Sequence, residues 1–326
     1  MSNFYYTPAG AGTKSGADWD NAGDTSAFLD KVLNTAVAGD ILYLYSGTYN
    51  LPGGTVSGLD GTVSSHIKII GVSNQSTLEP AQGDDRPYFY DNNASTYSFG
   101  VDNFWEIRNI RMYSNSRNGI YADVGSLVYN VDVFHDYAGG NGIAINCYTY
   151  CCQCNVTSTQ GTEVGISTYY GKVSNCYVKG FDVGIQQSSG AGGILLNIVA
   201  DCTTAGISIL SLTSGTIPTI INNTLYNCGY GINASYSSGS IYGFIIFNNT
   251  ISNCTTGINI HASWGDGCCL DYNNFYNNVT DVVNGTKGNS SLQVDPDFTD
   301  AANYNFSLKA TSNLLNAGIS VRGGVS

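Results

Sequence analysis

Asn248–Ile258 reads NNTISNCTTGI, and twenty-six residues earlier Asn222–Ile232 reads NNTLYNCGYGI. A chain that repeats itself at a fixed interval is built from stacked copies of one small unit, so the interval comes first. The pair Gly-Ile recurs at Gly119, Gly142, Gly165, Gly184, Gly206, Gly231 and Gly257, with gaps of 23, 23, 19, 22, 25 and 26 residues. An asparagine precedes each pair: Asn109, Asn130, Asn155, Asn175, Asn197, Asn223 and Asn249, and Asn274 continues the series without its Gly-Ile.

Helical repeats run longer and need helix formers, and no leucine pattern of a leucine-rich repeat is present. The chain is instead rich in Asn, Thr, Ile, Val and Tyr, which favour strands and turns. Three short strands joined by turns fill such a period, which is one rung of a parallel β-helix. The residue two before each Asn is usually apolar (Ile107, Val128, Val173, Leu195, Ile221, Phe247, Tyr272) and is expected to point inward. The Asn is then expected at a turn, its amide bonded to the coils on either side in a stacked ladder. Cys202, Cys228 and Cys254 each follow their Asn by five residues, with Val279 next in that series, and predict an inner column of free thiols.

The expected architecture is all-β: a three-sheet parallel solenoid of about ten coils, with residues 1–40 as an N-terminal cap, 41–286 as the β-helix and 287–326 as a C-terminal capping segment. TSAFLDKVLNTAVAGD (residues 25–40) places Phe28, Leu29, Val32, Leu33, Ala36 and Val37 on one helical face, with Thr25 or Ser26 as N-cap and Gly39 as the stop. A capping helix is what an open solenoid end requires.

Several stretches resemble the pectate-lyase-like superfamily of right-handed β-helix proteins. At the start these are YYTPAGAGTKSGADWDNA (5–22), AGDILYLYSGTYN (38–50) and HIKIIGVSNQSTL (66–78). LQVDPDFTDAANYNFSLKATSNLLNAG (292–318) resembles the terminal segment of bacterial members. That resemblance implies the fold. It leaves activity open, because the group holds lyases, hydrolases, epimerases, phage tailspikes and adhesins. It also implies that a site would lie on the outer face of the strands that begin at Gly-Ile.

On that face, the residues two and four after each Gly should point outward. They give Tyr121 and Asp123, Ala144 and Asn146, Ser167 and Tyr169, Gln186 and Ser188, Ser208 and Leu210, Asn233 and Ser235, Asn259 and His261. Glycoside hydrolysis needs two opposed carboxylates, and β-elimination needs a base with charge neutralisation; this face offers one carboxylate, Asp123, and no Lys or Arg. Any catalytic set is expected in the charged first coils, with Arg117, Asp123 and His135 as candidates. Tyr121, Tyr169, Asn233, Asn259, His261 and Trp264 form a candidate glycan-binding strip, because aromatic faces stack on sugar rings and amides bind hydroxyls.

The net charge is −12, with only 12 Lys and Arg, which argues against nucleic acid. No apolar run is long enough for a membrane span, and MSNFYYTPAG does not read as a signal peptide. Ten cysteines, including CYTYCCQC (147–154) and Cys268–Cys269, match no zinc spacing, so neither a metal nor a cofactor is expected. Ca²⁺ is compatible with the acidic surface but no ligand spacing indicates it. The functional expectation is a glycan-binding component of a virion or other extracellular surface, of tailspike or fibre type, with little catalysis. Assembly with other virion proteins or as a homotrimer is allowed. The alternatives are a secreted bacterial polysaccharide lyase, epimerase or hydrolase, and a purely structural solenoid.

Overall fold

The structure is a computed structural model that describes residues 2–161, 163–190, 192–210, 217–235, 243–262 and 267–319. Three parallel sheets of eleven, ten and ten strands run the length of the solenoid, one strand from each per coil. A representative coil uses Leu127–Tyr129 in the first sheet, Asp132–His135 in the second and Ile143–Cys147 in the third. Strands so short are stable only because each pairs with the coil above and below, about 4.8 Å away. The first sheet turns one aliphatic column inward, with Ile107, Val128, Val173, Ile194, Ile220 and Ile246 in register. Each is fully buried, which stabilises by roughly 1.5–3 kcal/mol per side chain.

The first forty residues contribute more than a cap. Asn3–Tyr6 pairs in parallel with Ile41–Tyr45 and so opens the first sheet. The helix is short, Thr25–Asp30, and continues as a π-turn over Lys31–Thr35. Its N-cap is Asp24 rather than Thr25 or Ser26: the Asp24 carboxylate accepts from Ala27 N–H at 2.9 Å. Phe28, Val32 and Ala36 are buried, while Val37 lies beyond the helix and is 60% exposed. Gly39 closes the segment at φ 88°. The Phe28 ring packs against Tyr6, Tyr49 and Phe89, which plugs the N-terminal end of the core.

The turn between the first and second sheets holds two columns where the sequence predicts one. In each coil one residue is left-handed: Asn109, Asn130, Gln153, Asn175, Leu196, Asn222, Asn248 and Tyr272, all at φ 52–60°. Asparagine tolerates this conformation better than other side chains. The residue after it points inward, and the longer ladder forms there; in the left-handed column Asn130 Nδ2 donates to Asn109 Oδ1 at 2.9 Å. Asn197 N–H and Nδ2 both donate to Asn223 Oδ1, at 2.9 and 3.0 Å. Asn223 donates in the same way to Asn249, and Asn249 to Asn273, all at 3.0 Å. The ladder is therefore Asn197, Asn223, Asn249 and Asn273. Asn109, Asn130 and Asn175 belong to the left-handed column instead. Asn155 is exposed at the start of the next strand, and Asn274, also one residue further on, pairs with Val294 of the C-terminal segment.

The same shift moves the end of the thiol series. Cys202, Cys228 and Cys254 are buried and unpaired as disulfides, but the next residue in their column is Asn278, whose Oδ1 accepts from Cys254 N–H; Val279 is 84% exposed. This column explains the glycines. A Cβ on Gly184 would lie 2.3 Å from Val199 Cγ1 and 3.0 Å from Cys202 Sγ, and one on Gly206 would lie 3.2 Å from Cys228 Sγ. Only glycine lets the third sheet pass this close to the thiols.

The third sheet corrects one coil of the predicted register. Ile120 pairs with Ile145, not Ile143, and Ile145 with Ile166. Ala144 therefore fills the glycine position and is buried, and Gly142 lies in the preceding turn. The outward residues of that coil become Asn146 and Tyr148.

Candidate functional site

Two outward columns run along the third sheet. The inner one carries Tyr121, Asn146, Ser167, Gln186, Ser208, Asn233 and Asn259 in register. Two residues further along each strand lie Asp102, Asp123, Tyr148, Tyr169, Ser188, Leu210, Ser235 and His261.

Aromatic rings cluster in the first four of these coils. Tyr97 meets Tyr121 edge-on at 5.5 Å, Tyr121 meets Tyr148 at 6.1 Å, and Tyr148 stacks on Tyr169 at 4.2 Å with 10° between planes. All four rings are half-buried. Tyr121 Oη donates to Asp123 Oδ2 at 3.1 Å. Burial, reinforced by the Asp123 carboxylate, holds the Tyr121 hydroxyl well above its ordinary value, and burial beside Tyr169 does the same to Tyr148. These phenols stay neutral and able to donate at physiological pH.

At the lower end of the strip Asp102 and Asp123 occupy adjacent coils, with Asp60 beside them. Partial burial, then the negative charges of Asp60 and Asp123, push the Asp102 carboxyl above the usual carboxylate range.

The three residues put forward for catalysis are not brought together. Arg117 is exposed before the strand Asn118–Ala122 and Asp123 follows it, at opposite ends of that strand. His135 lies on the second sheet, inside the coil and fully buried. Its Nε2 donates to Ser116 O and its Nδ1 meets Glu163 Oε2, both at 2.9 Å. The rest of the charged neighbourhood is likewise divided between sheets. Glu106 is buried against Lys68 and Arg108, and Arg111 pairs with Asp84.

Of the proposed glycan strip, Tyr121 and Tyr169 belong to the aromatic cluster. Asn233 and Asn259 sit several coils up the same face, joined by an Nδ2···Oδ1 bond of 3.1 Å, and His261 is half-buried on the outer column. Trp264 lies outside the described residues. Sequence reasoning missed Tyr97, Tyr148 and Asp102. The misplaced register at Gly142 hid Tyr148, and Tyr97 and Asp102 precede the first Gly-Ile. A separate groove of about 490 Å³ lies under the C-terminal segment, beside Asn222, Asn248 and Tyr272. It forms where Asn248 tethers Ile319 through two hydrogen bonds, and it is remote from this strip.

The model of the right-handed β-helix region matches residues 95–243. No functionally curated protein matches the chain. Among solved structures, the pectate lyase Pel9A is 14% identical with a TM-score of 0.63, covering 99% of this chain and 92% of its own. The alginate lyase from Paenibacillus sp. str. FPU-7 is 16% identical, with a TM-score of 0.54 and coverages of 83% and 96%. A rhamnogalacturonan lyase is 14% identical, with a TM-score of 0.52 and coverages of 92% and 91%. At such identities the likeness concerns the fold and leaves the chemistry to be argued from the site. The chain is a right-handed parallel β-helix, a fold it shares with these polysaccharide lyases.

Proposed function

We propose that the outer face of the third sheet binds an extended carbohydrate chain lying along the solenoid axis. The observation that carries this reading is one face that bears an aromatic cluster of four tyrosines and, further along the same sheet, the half-buried polar side chains Gln186, Ser188, Asn233 and Asn259. Five coil steps from Tyr121 to Asn233 span about 24 Å, enough for several sugar residues. Neutral phenols and amides recognise ring faces and hydroxyls. The net charge of −12 disfavours a densely anionic polymer unless Ca²⁺ bridges it. The fold shared with three polysaccharide lyases makes carbohydrate the natural ligand class, while the separation of Arg117, Asp123 and His135 favours binding over cleavage.

The setting that best fits this activity is a virion or other extracellular surface. Ten free cysteines suit a protein that folds in a reducing cytoplasm before it meets the outside. Association as a trimer or with other virion proteins belongs to the same reading, and native mass spectrometry together with proteomics of purified particles tests it.

The binding test is a glycan array run in parallel with a reducing-end assay. Saturable binding to a neutral or weakly charged glycan is expected, weakened about tenfold by Tyr148→Ala or Tyr169→Ala, since one base- or sugar-sized stack is worth roughly 1–3 kcal/mol. Binding that is indifferent to both substitutions, or efficient release of reducing ends, overturns it.

A further inference from the structure

Three thiols converge inside the coils that CYTYCCQC begins. Cys151 comes from the first sheet, where its column is otherwise aliphatic: Val128 lies below it and Val173 above. Cys154 and Cys176 occupy successive positions of the column that becomes the asparagine ladder. Below them that column holds Val131, and above them Asn197, whose Oδ1 accepts from Cys176 N–H at 2.9 Å. Three neighbouring positions that elsewhere carry aliphatic or amide side chains thus carry sulfur at one point. Their Sγ atoms all lie within 4.8 Å of one another, and the three residues are 1–2% exposed.

We propose that Cys151, Cys154 and Cys176 form a three-sulfur binding site for a soft monovalent cation, Cu(I). Thiolate sulfur selects soft ions, and the site gathers three such donors. Metal–sulfur bonds of about 2.3 Å in a trigonal plane place the sulfurs about 4 Å apart, within reach of the spacing present. All three sulfurs bind as thiolates, so binding releases three protons and involves no electron transfer. Zn(II) takes a fourth ligand to complete its tetrahedron, whereas three sulfurs converge here. The nearby thiol of Cys147 does not join the group of mutually close sulfurs. Because the site is closed to solvent, the ion enters as these coils fold, which makes it a staple between adjacent coils where the ladder stops.

The test is to produce the full chain in reducing cells with added copper, purify it anaerobically, and challenge it with bicinchoninate as competing Cu(I) chelator. One copper per chain should be retained, with X-ray absorption at the copper edge showing three sulfur neighbours. Two variants restore what neighbouring coils carry: Cys151→Val renews the aliphatic column, and Cys176→Asn extends the asparagine column by one coil. Both should keep the native circular dichroism and reduce retained copper at least about tenfold, whereas Cys228→Ala, which alters the other thiol column, should not. Copper retained equally by Cys176→Asn places the metal at other cysteines and overturns the site. So does preferential retention of zinc with four sulfur neighbours, or no copper retained beyond the level of the Cys151→Val/Cys176→Asn double variant.

Discussion

In the coils from Tyr88 to Ser158, the last inward residue of the second sheet is polar: Asp91, Ser114, His135 and Ser158 stand in register. From Gly180 onward the same corner is turned by a left-handed residue, Gly180, Asp201, Asn227, Asn253 or Asn277, and Phe181, Cys202, Cys228 or Cys254 then fills the interior. The early coils therefore carry a buried network. Asp91 accepts from Ser98 at 2.5 Å and from Ser116 at 2.7 Å, and Glu163 accepts from Ser158 at 3.0 Å while meeting His135. The later coils place their polar order one turn away, in the ladder, where each amide is matched to an identical amide. An identical repeat satisfies itself by stacking. A network of unlike groups depends on each member, and losing one strands the others.

The sharpest way to break this contrast is His135→Leu. It leaves Glu163 buried with only Ser158 as partner, and removing one half of a buried ionisable pair typically costs about 3–5 kcal/mol. Urea unfolding should show that loss, and adding Glu163→Leu should recover most of it. A loss under about 1 kcal/mol would mean the pair behaves like a surface contact.

The next effect separates adjacent asparagines. Asn223→Ala takes the acceptor from the buried Asn197 N–H and removes one bond each from Asn197 Nδ2, Ile194 O and Ile221 O, and should cost about 1–3 kcal/mol. Asn222→Gly relaxes a left-handed residue at φ 58° and should be close to neutral. Equal melting temperatures for the two variants would erase the distinction between the columns.

The smallest effect lies on the outer face. Asp102 has a carboxyl raised above its unfolded value, so the folded state binds this proton more tightly than the unfolded chain does. Stability contributed in acid is lost as pH rises from the ordinary Asp range through the raised folded value. Asp102→Asn should therefore melt slightly higher than the parent at pH 7, and the gap should close below the ordinary Asp range. A gap unchanged by pH would remove Asp60 and Asp123 as its cause.

The period, the three strands per coil and the inward thiols were legible because each is written as a spacing. Which of two adjacent asparagines does which job was not. In Asn222–Asn223 and Asn248–Asn249 the second forms the ladder, but in Asn273–Asn274 the first does, since there Tyr272 takes the left-handed position. Gly142-Ile143-Ala144-Ile145 offers two isoleucines in frame, and nothing local reveals that alanine can replace the glycine. The aromatic cluster was half visible, because its members come from different coils and only the correct register brings Tyr148 beside Tyr169.

From Asn175, Leu196, Asn222, Asn248 and Tyr272 to the next left-handed residue the distance is always five residues. Most of the variation in coil length therefore falls between the third sheet and the following first sheet: Gln187 to Gly193, Ile209 to Thr219, Ala234 to Ile245, Ile260 to Cys269. That corner borders the outer column of the candidate site. The molecule thus separates heredity of form from freedom of surface. Changes of length in these segments leave the five-residue spacing that keeps the coils in step untouched, so sequence beside the candidate face can diverge while the fold is inherited unchanged.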